Sequence, residues 1–191
     1  MTKPELRSLY LEKRRQLSAS DVAGRSGRIA DYFFATTELS KIETLHTFLS
    51  IPKFHEVDTA LIYERIWREC PRIITVTSRT GTDKDILDHA EFAADTAFIE
   101  SKWGIREPSG EISIEPSAVD IVLVPLLCVD ERGYRVGYGK GFYDRFLAKC
   151  RPDCVKIGLS LFAPIDAIDD LHDHDVALDR YITPAGLTVF E

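Results

Sequence analysis

Apolar positions along the chain switch between helical and strand-like spacing, and the switches divide it into elements. Thr2-Lys3-Pro4-Glu5 has the form of a capping box with Pro4 in the first turn, and it predicts a helix over 4–16. The apolar stripe of that helix is Leu6, Leu9, Tyr10 and Leu17, while Lys3, Arg7 and Arg14 share a second, basic stripe. The basic stripe is either a solvated face or a means of aiming Lys3 and Arg7 at an anion. Ser18 or Ser20 with Asp21 starts a second helix reaching residue 36, with Val22, Ile29, Phe33 and Phe34 apolar. Residues 42–48 alternate as a strand, with Ile42, Thr44, His46 and Phe48 on one face. A loop carrying Glu56 and Asp58 follows, then a helix opening at Val57 or Asp58 and running to residue 69, expected to bury Leu61, Ile62, Ile66 and Trp67.

A β-branched strand is expected over 72–77, and loop with short strand pieces over the polar stretch 78–96. Residues 103–110 are irregular, and Trp103 there is either anchored in the core, the first reading, or exposed for stacking on a ligand. The most apolar run of the chain, 121–129, lies in a central strand over 120–129, with Pro125 marking a bulge or a strand end. A helix over 141–150, a strand over 155–161 and a last strand near 180–183 complete the pattern. Helices alternating with strands at this spacing, without internal repeats, predict one α/β domain over 1–191. Its sheet is mostly parallel, with helices on both faces in three layers. Ligands of such sheets sit beyond the carboxyl ends of the strands, so Glu56 and the segment after residue 129 are expected to face one cleft.

Composition narrows the function. A 45% hydrophobic and 29% charged chain is ordinary for a globular protein, and a net charge of −7 disfavours nucleic acid or an anionic membrane as the main partner. Positive charge is local, at Lys3, Arg7, Lys13, Arg14 and Arg15 and again at Arg135 and Lys140, which suits a small anionic ligand. Cys70, Cys128, Cys150 and Cys154 form no Cys-x-x-Cys pair and read as reduced thiols of a soluble, cytoplasmic protein. No apolar segment follows Met1, and no run approaches membrane-spanning length.

The chemistry concentrates in Arg135-Val136-Gly137-Tyr138-Gly139-Lys140-Gly141-Phe142-Tyr143-Asp144. Alternating glycines let backbone approach an anion closely, a helix start offers unpaired N–H groups, and Lys140 and Arg135 add charge. The spacing is neither that of the Walker loop nor that of the dinucleotide fingerprint, and a plain tight turn with a solvated Lys140 is the alternative. His172 and His174 have the separation of two zinc ligands on an extended segment, but no third ligand follows by spacing, so an acidic surface loop is the first reading. Asp144 and Asp175 are a further pair of hard oxygen donors that suits magnesium beside phosphates. No nucleophile elbow or metalloprotease motif occurs.

These residues, taken in order, resemble the 5-formyltetrahydrofolate cyclo-ligase family. The likeness runs through Lys3-x-x-Leu6-Arg7, Glu56-Val-Asp58-Thr59, Trp103-Gly-Ile-Arg-Glu-Pro108, Val124-Pro125-Leu126, the glycine loop to Asp144, and His174-Asp175-Val-x-Leu-Asp179. It implies a Rossmann-like frame of the kind shared by sugar-phosphate isomerases and CoA transferases, working as a monomer. It also implies an ATP- and magnesium-dependent ligase that closes 5-formyltetrahydrofolate to the 5,10-methenyl form with release of ADP and phosphate. By the same resemblance Lys3, Pro4, Glu5, Leu6, Arg7 and residues 135–143 meet ATP, and Lys140, Arg135 and Tyr143 act in catalysis. Asp144 and Asp175 hold magnesium. Glu56, or else Asp58, accepts the pterin N–H groups. Ile51 and Trp103 wall the folate, and Arg7 with Tyr138, Gly139, Lys140, Gly141 and Phe142 also touches it. Two other classes stay open on the residues alone: a sugar-phosphate isomerase or CoA transferase without ATP turnover, and a non-catalytic nucleotide- or folate-binding module.

Overall fold

The computed structural model describes residues 1–80, 87–100, 106–109 and 113–190. Helices α1 (Lys3–Arg15) and α2 (Ala19–Thr36) lead into β1 (Thr44–His46), α3 (Ala60–Glu69), β2 (Ile74–Thr80) and β3 (Leu87–Glu91). A separate antiparallel pair, β4 (Phe98–Glu100) and β5 (Arg106–Pro108), precedes β6 (Ile121–Pro125). A small hairpin of β7 (Cys128–Val129) and β8 (Arg135–Val136) then delivers the chain to α4 (Phe142–Leu147). Strands β9 (Val155–Leu159), β10 (Arg180–Thr183) and β11 (Gly186–Val189) close the order. The helix starts follow local chemistry. Thr2 N–H donates to Glu5 Oε2 at 2.8 Å, and Ser18 and Asp21 exchange bonds of 3.1 Å at the head of α2.

The main sheet has the order β11-β10-β9-β6-β1-β2-β3, parallel through its middle and antiparallel at both edges. From β1 the chain adds β2 on one side, then returns with β6 on the other and builds outward to β9 and β10. The order therefore reverses between β1 and β6, the place where such sheets open a crevice at their carboxyl ends. Ile121 and Leu123 of β6 join Leu45, Ile157 and Ile182 against Ile29 and Phe33 of α2 and Ile62 and Ile66 of α3. Val122 and Val124 point the other way, onto Phe146 and Leu147 of α4 and onto Tyr181. Burial on both faces is why this strand reads as an unbroken apolar run. A third cluster seats Leu6 and Tyr10 of α1 on Leu127, Cys128 and Val136 of the hairpin.

Several expected elements change. The apolar run 121–129 is two strands: Pro125 ends β6, and Cys128–Val129 leaves the sheet to pair with Val136 and Arg135. The strand expected over 42–48 keeps only Thr44–His46, and all three are buried instead of alternating. The third helix starts at Ala60, which turns Leu61 outward at 42% exposure; Leu9 of α1 is also exposed. The helix expected over 141–150 has six residues: Gly141 stands at φ +65° as its N-cap, and the helix stops at Leu147 with residues 148–150 in a turn. The strand expected over 155–161 stops at Leu159, and the pairing of β10 with β11 has no counterpart in the sequence reading. Among the described residues, no helix is long and apolar enough to cross a membrane.

Candidate active site

Two loops diverge at the crevice between β1 and β6. The first, after β1, carries Ile51 and Glu56; the second, after β6, is the hairpin and glycine loop. Buried Asp130 fixes the hairpin turn, accepting from Arg132, Tyr134 N–H and Ile168 N–H at 3.0–3.2 Å. The glycine loop is then pinned from α1. Arg7 Nε donates to Gly137 O at 2.9 Å, and its guanidinium carbon lies 3.0 Å from where a Cβ on Gly139 would stand. With φ at +87°, Gly139 is required twice over, for its backbone conformation and for the approach of Arg7.

Glu56 meets this loop and Asp58 does not. Tyr138 hydroxyl donates to Glu56 Oε1 at 2.5 Å, and Ile51 N–H donates to Oε2 at 2.8 Å. Burial pushes the Glu56 carboxyl above the ordinary glutamate value, against the opposing pull of Tyr138, Ile51 and Arg14. Asp58 is exposed, and its Oδ1 accepts from Ala60 N–H at the start of α3, a helix-capping duty.

Two of the candidate cations, Arg135 and Lys3, are engaged with carboxylates. Arg135, its side chain 5% exposed, donates to Asp144 Oδ1 at 2.8 Å and to Val176 O at 2.6 Å, so it clamps the loop to the segment that carries Asp175. Lys3 Nζ pairs with Asp175 Oδ2 at 2.5 Å, and His172 N–H donates to the same oxygen at 2.6 Å. Burial alone would raise the Asp175 carboxyl, but Lys3 and the His172 N–H outweigh it and hold the group below the usual aspartate range. Lys140 is exposed at the tip of the loop. Leu6 and Val136 are buried in the core between α1 and the hairpin, and Glu5 caps α1. Pro4 is exposed in the first turn of α1, and Phe142 is part-buried with Arg145 5.3 Å over its ring. Trp103 lies outside the described residues.

Tyr143 sits over a buried polar chain. Its hydroxyl shares a hydrogen bond with Ser78, Ser78 Oγ is 3.0 Å from His46 Nε2, and that nitrogen is 3.3 Å from His89 Nδ1. Sequence reasoning missed this chain, as it missed the inward course of Arg14, which is 3% exposed and donates to Tyr138 OH at 3.0 Å. The available signal for Arg14 was its place on the same stripe as Arg7, seven residues on. His172 and His174 stack with ring centroids 5.5 Å apart, and among the described residues no group of three His, Cys, Asp or Glu is arranged to hold a metal.

Comparison with known proteins shows the family. The family model for 5-formyltetrahydrofolate cyclo-ligases matches residues 1–184. The probable 5-formyltetrahydrofolate cyclo-ligase of Schizosaccharomyces pombe is 23% identical over 201 residues, with 96% of each chain covered. The 5-formyltetrahydrofolate cyclo-ligase of Escherichia coli K12 is 25% identical over 138 residues, covering 71% of this chain and 74% of that one. Among solved structures, the 5,10-methenyltetrahydrofolate synthetase of Aquifex aeolicus superposes with a TM-score of 0.78 at 24% identity, over 100% of this chain and 94% of that one. That of Mycoplasma pneumoniae gives 0.74 at 26% identity, over 96% and 99%. With the match running from the first residue through the last parallel strand, the chain belongs to the 5-formyltetrahydrofolate cyclo-ligase family.

Proposed function

We propose that this protein closes 5-formyltetrahydrofolate to 5,10-methenyltetrahydrofolate, with ATP converted to ADP and phosphate. The observation that carries the reading is the contact of Tyr138 with Glu56 at 2.5 Å. It brings a phosphate-type glycine loop and a buried carboxylate suited to pterin N–H donors into one crevice, with Lys140 two residues further along that loop. A formyl oxygen is a poor leaving group. Transfer of the γ-phosphoryl group to it makes it a good one; N10 then closes on the formyl carbon with loss of its proton, and phosphate departs with the former formyl oxygen. Such a reaction asks the protein mainly for position and for positive charge around the transferring group.

The residues divide that work. Glu56 orients the pterin, and Ile51 forms one apolar wall. Lys140 and the backbone of 137–141 hold the phosphates, with Arg7 fixing the loop from behind. Arg135 and Tyr143 keep the head of α4 and Asp144 in position. Magnesium fits the donors: Asp144 uses only Oδ1 and Asp175 only Oδ2 in hydrogen bonds to described residues, so each has a second hard oxygen to offer. Two carboxylates are what magnesium takes from a protein when substrate phosphates and water complete its shell. When bound, it would neutralise charge on the phosphate oxygens. Work in the cytoplasm suits the four free thiols, and the enzyme acts as a monomer on small molecules in this reading.

The test mixes purified protein, Mg·ATP and 5-formyltetrahydrofolate and follows the near-ultraviolet band of the methenyl product. The expected result is a rise that requires both ATP and magnesium. A folded protein that binds ATP yet gives no rise would refute the reading and turn attention to sugar phosphates.

A further inference from the structure

The bonds around Glu56 continue into a chain that links α1 to the glycine loop. Arg14 donates through Nη2 to Leu126 O, just past β6, and through Nη1 to the Tyr138 hydroxyl at 3.0 Å. The Tyr138 hydroxyl in turn donates to Glu56 Oε1, and the backbone carbonyl of Arg14 is 2.7 Å from His55 Nδ1. Arg14 Nε is buried without a hydrogen-bond partner among the described residues. Tyr138 is unlike a core tyrosine. Its side chain enters from outside, the residue being 39% exposed, while its oxygen sits between a buried arginine and a carboxylate that is 6% exposed. Its backbone stands between Gly137, where a Cβ would meet nothing within 4 Å, and Gly139 at φ +87°. A phenol placed this way blocks a buried acceptor from a loop that Arg7 still holds at Gly137 O.

We propose that Tyr138 is a tethered competitor for Glu56, and that folate binding exchanges one donor for another. The phenol holds the carboxylate oxygen that a pterin N–H takes, and Arg14 is the positioning residue that aims the phenol. This rests on the reading of Glu56 as the pterin acceptor. The exchange makes Tyr138 a determinant of specificity. A heterocycle displaces it only by presenting N–H donors in the plane of the carboxylate, because a ligand without them leaves Glu56 buried and short of a partner. It also ties the two halves of the site together, since release of Tyr138 removes one of the contacts that hold the loop carrying Lys140.

The experiment is calorimetric titration of 5-formyltetrahydrofolate, without nucleotide, into wild type, Tyr138→Phe, Glu56→Gln and the double variant, with thermal melts of each. Tyr138→Phe is expected to bind folate about tenfold more tightly, because no charge-assisted hydrogen bond has to be broken first. Its melt without folate is expected to fall, and in the Glu56→Gln background both effects of Tyr138→Phe are expected to shrink toward nothing. Unchanged or weaker folate binding by Tyr138→Phe would overturn the exchange, as would a tightening that persists in the Glu56→Gln background. A wild type that neither binds nor converts 5-formyltetrahydrofolate would instead sink the function proposed above. A wild type that does both, with an unaltered Tyr138→Phe, sinks the exchange alone.

Discussion

Lys140 and Glu56 lie on the two loops that meet at Tyr138, one exposed and one buried, and their substitutions should separate accordingly. Removing an exposed lysine costs the fold little, whereas removing charge next to a transferring phosphoryl group costs rate. Lys140→Ala is therefore expected to lower kcat by about 100-fold or more with an unchanged melting temperature; near wild-type turnover would take Lys140 out of the mechanism. For Glu56→Gln the loss should fall on folate, with the affinity for Mg·ATP little changed in direct titration. Acid should mimic that substitution. Burial raises the Glu56 carboxyl, so it takes up a proton at a pH above the usual 4.5 and loses an acceptor oxygen there. Folate affinity should then weaken as pH falls through that higher value, and the Glu56→Gln variant should lack this limb of the profile.

The elements around the site are held by His46 on β1, Ser78 on β2, His89 on β3 and Phe146 on α4. The His89 ring lies 4.0 Å from that of Phe146, and His46 lies 4.6 Å from it. Burial lowers both imidazoles, His89 to about 4, with Asp88 opposing the shift and Lys149 adding to it. The unfolded chain takes up these protons near 6.5 and the folded one only further down, so their contribution is full above 6.5 and declines as pH falls toward 4. Denaturation midpoints measured across that interval should fall less steeply for His89→Phe, which keeps the ring contact and removes the titration; parallel curves would contradict the assignment. This cluster also marks where the sequence stops being legible. The helix-strand alternation, and the meeting of Glu56 with the glycine loop, follow from spacing and from both segments trailing parallel strands. The hairpin does not, because Cys128 and Val129 continue the apolar run of β6 and only Pro125 signals the break. Nor does periodicity reveal that Arg14 is buried, since a basic stripe has the same spacing whether it meets water or a backbone carbonyl.

At the scale of the molecule, the reversal of strand order between β1 and β6 determines what ligands do to stability. The loop carrying Glu56 follows β1 and the glycine loop follows β6, and the two are joined through Tyr138, Arg7 and Arg14 to α1, which packs on the hairpin. A ligand that bridges these loops binds the folded chain and not the unfolded one. At a hundredfold excess over its Kd it adds about 2.7 kcal/mol. For a chain of this size that corresponds to a rise in Tm of about 5–10 °C. Thermal melts with 5-formyltetrahydrofolate, with a non-hydrolysable Mg·ATP analogue and with both should each show a rise, and sugar phosphates or coenzyme A should give none. Because Tyr138 and Lys140 share one glycine loop, the rise with both ligands should exceed the sum of the separate rises. Strict additivity would mean that the two halves of the crevice bind independently, and that the loop serves the nucleotide without sensing the folate.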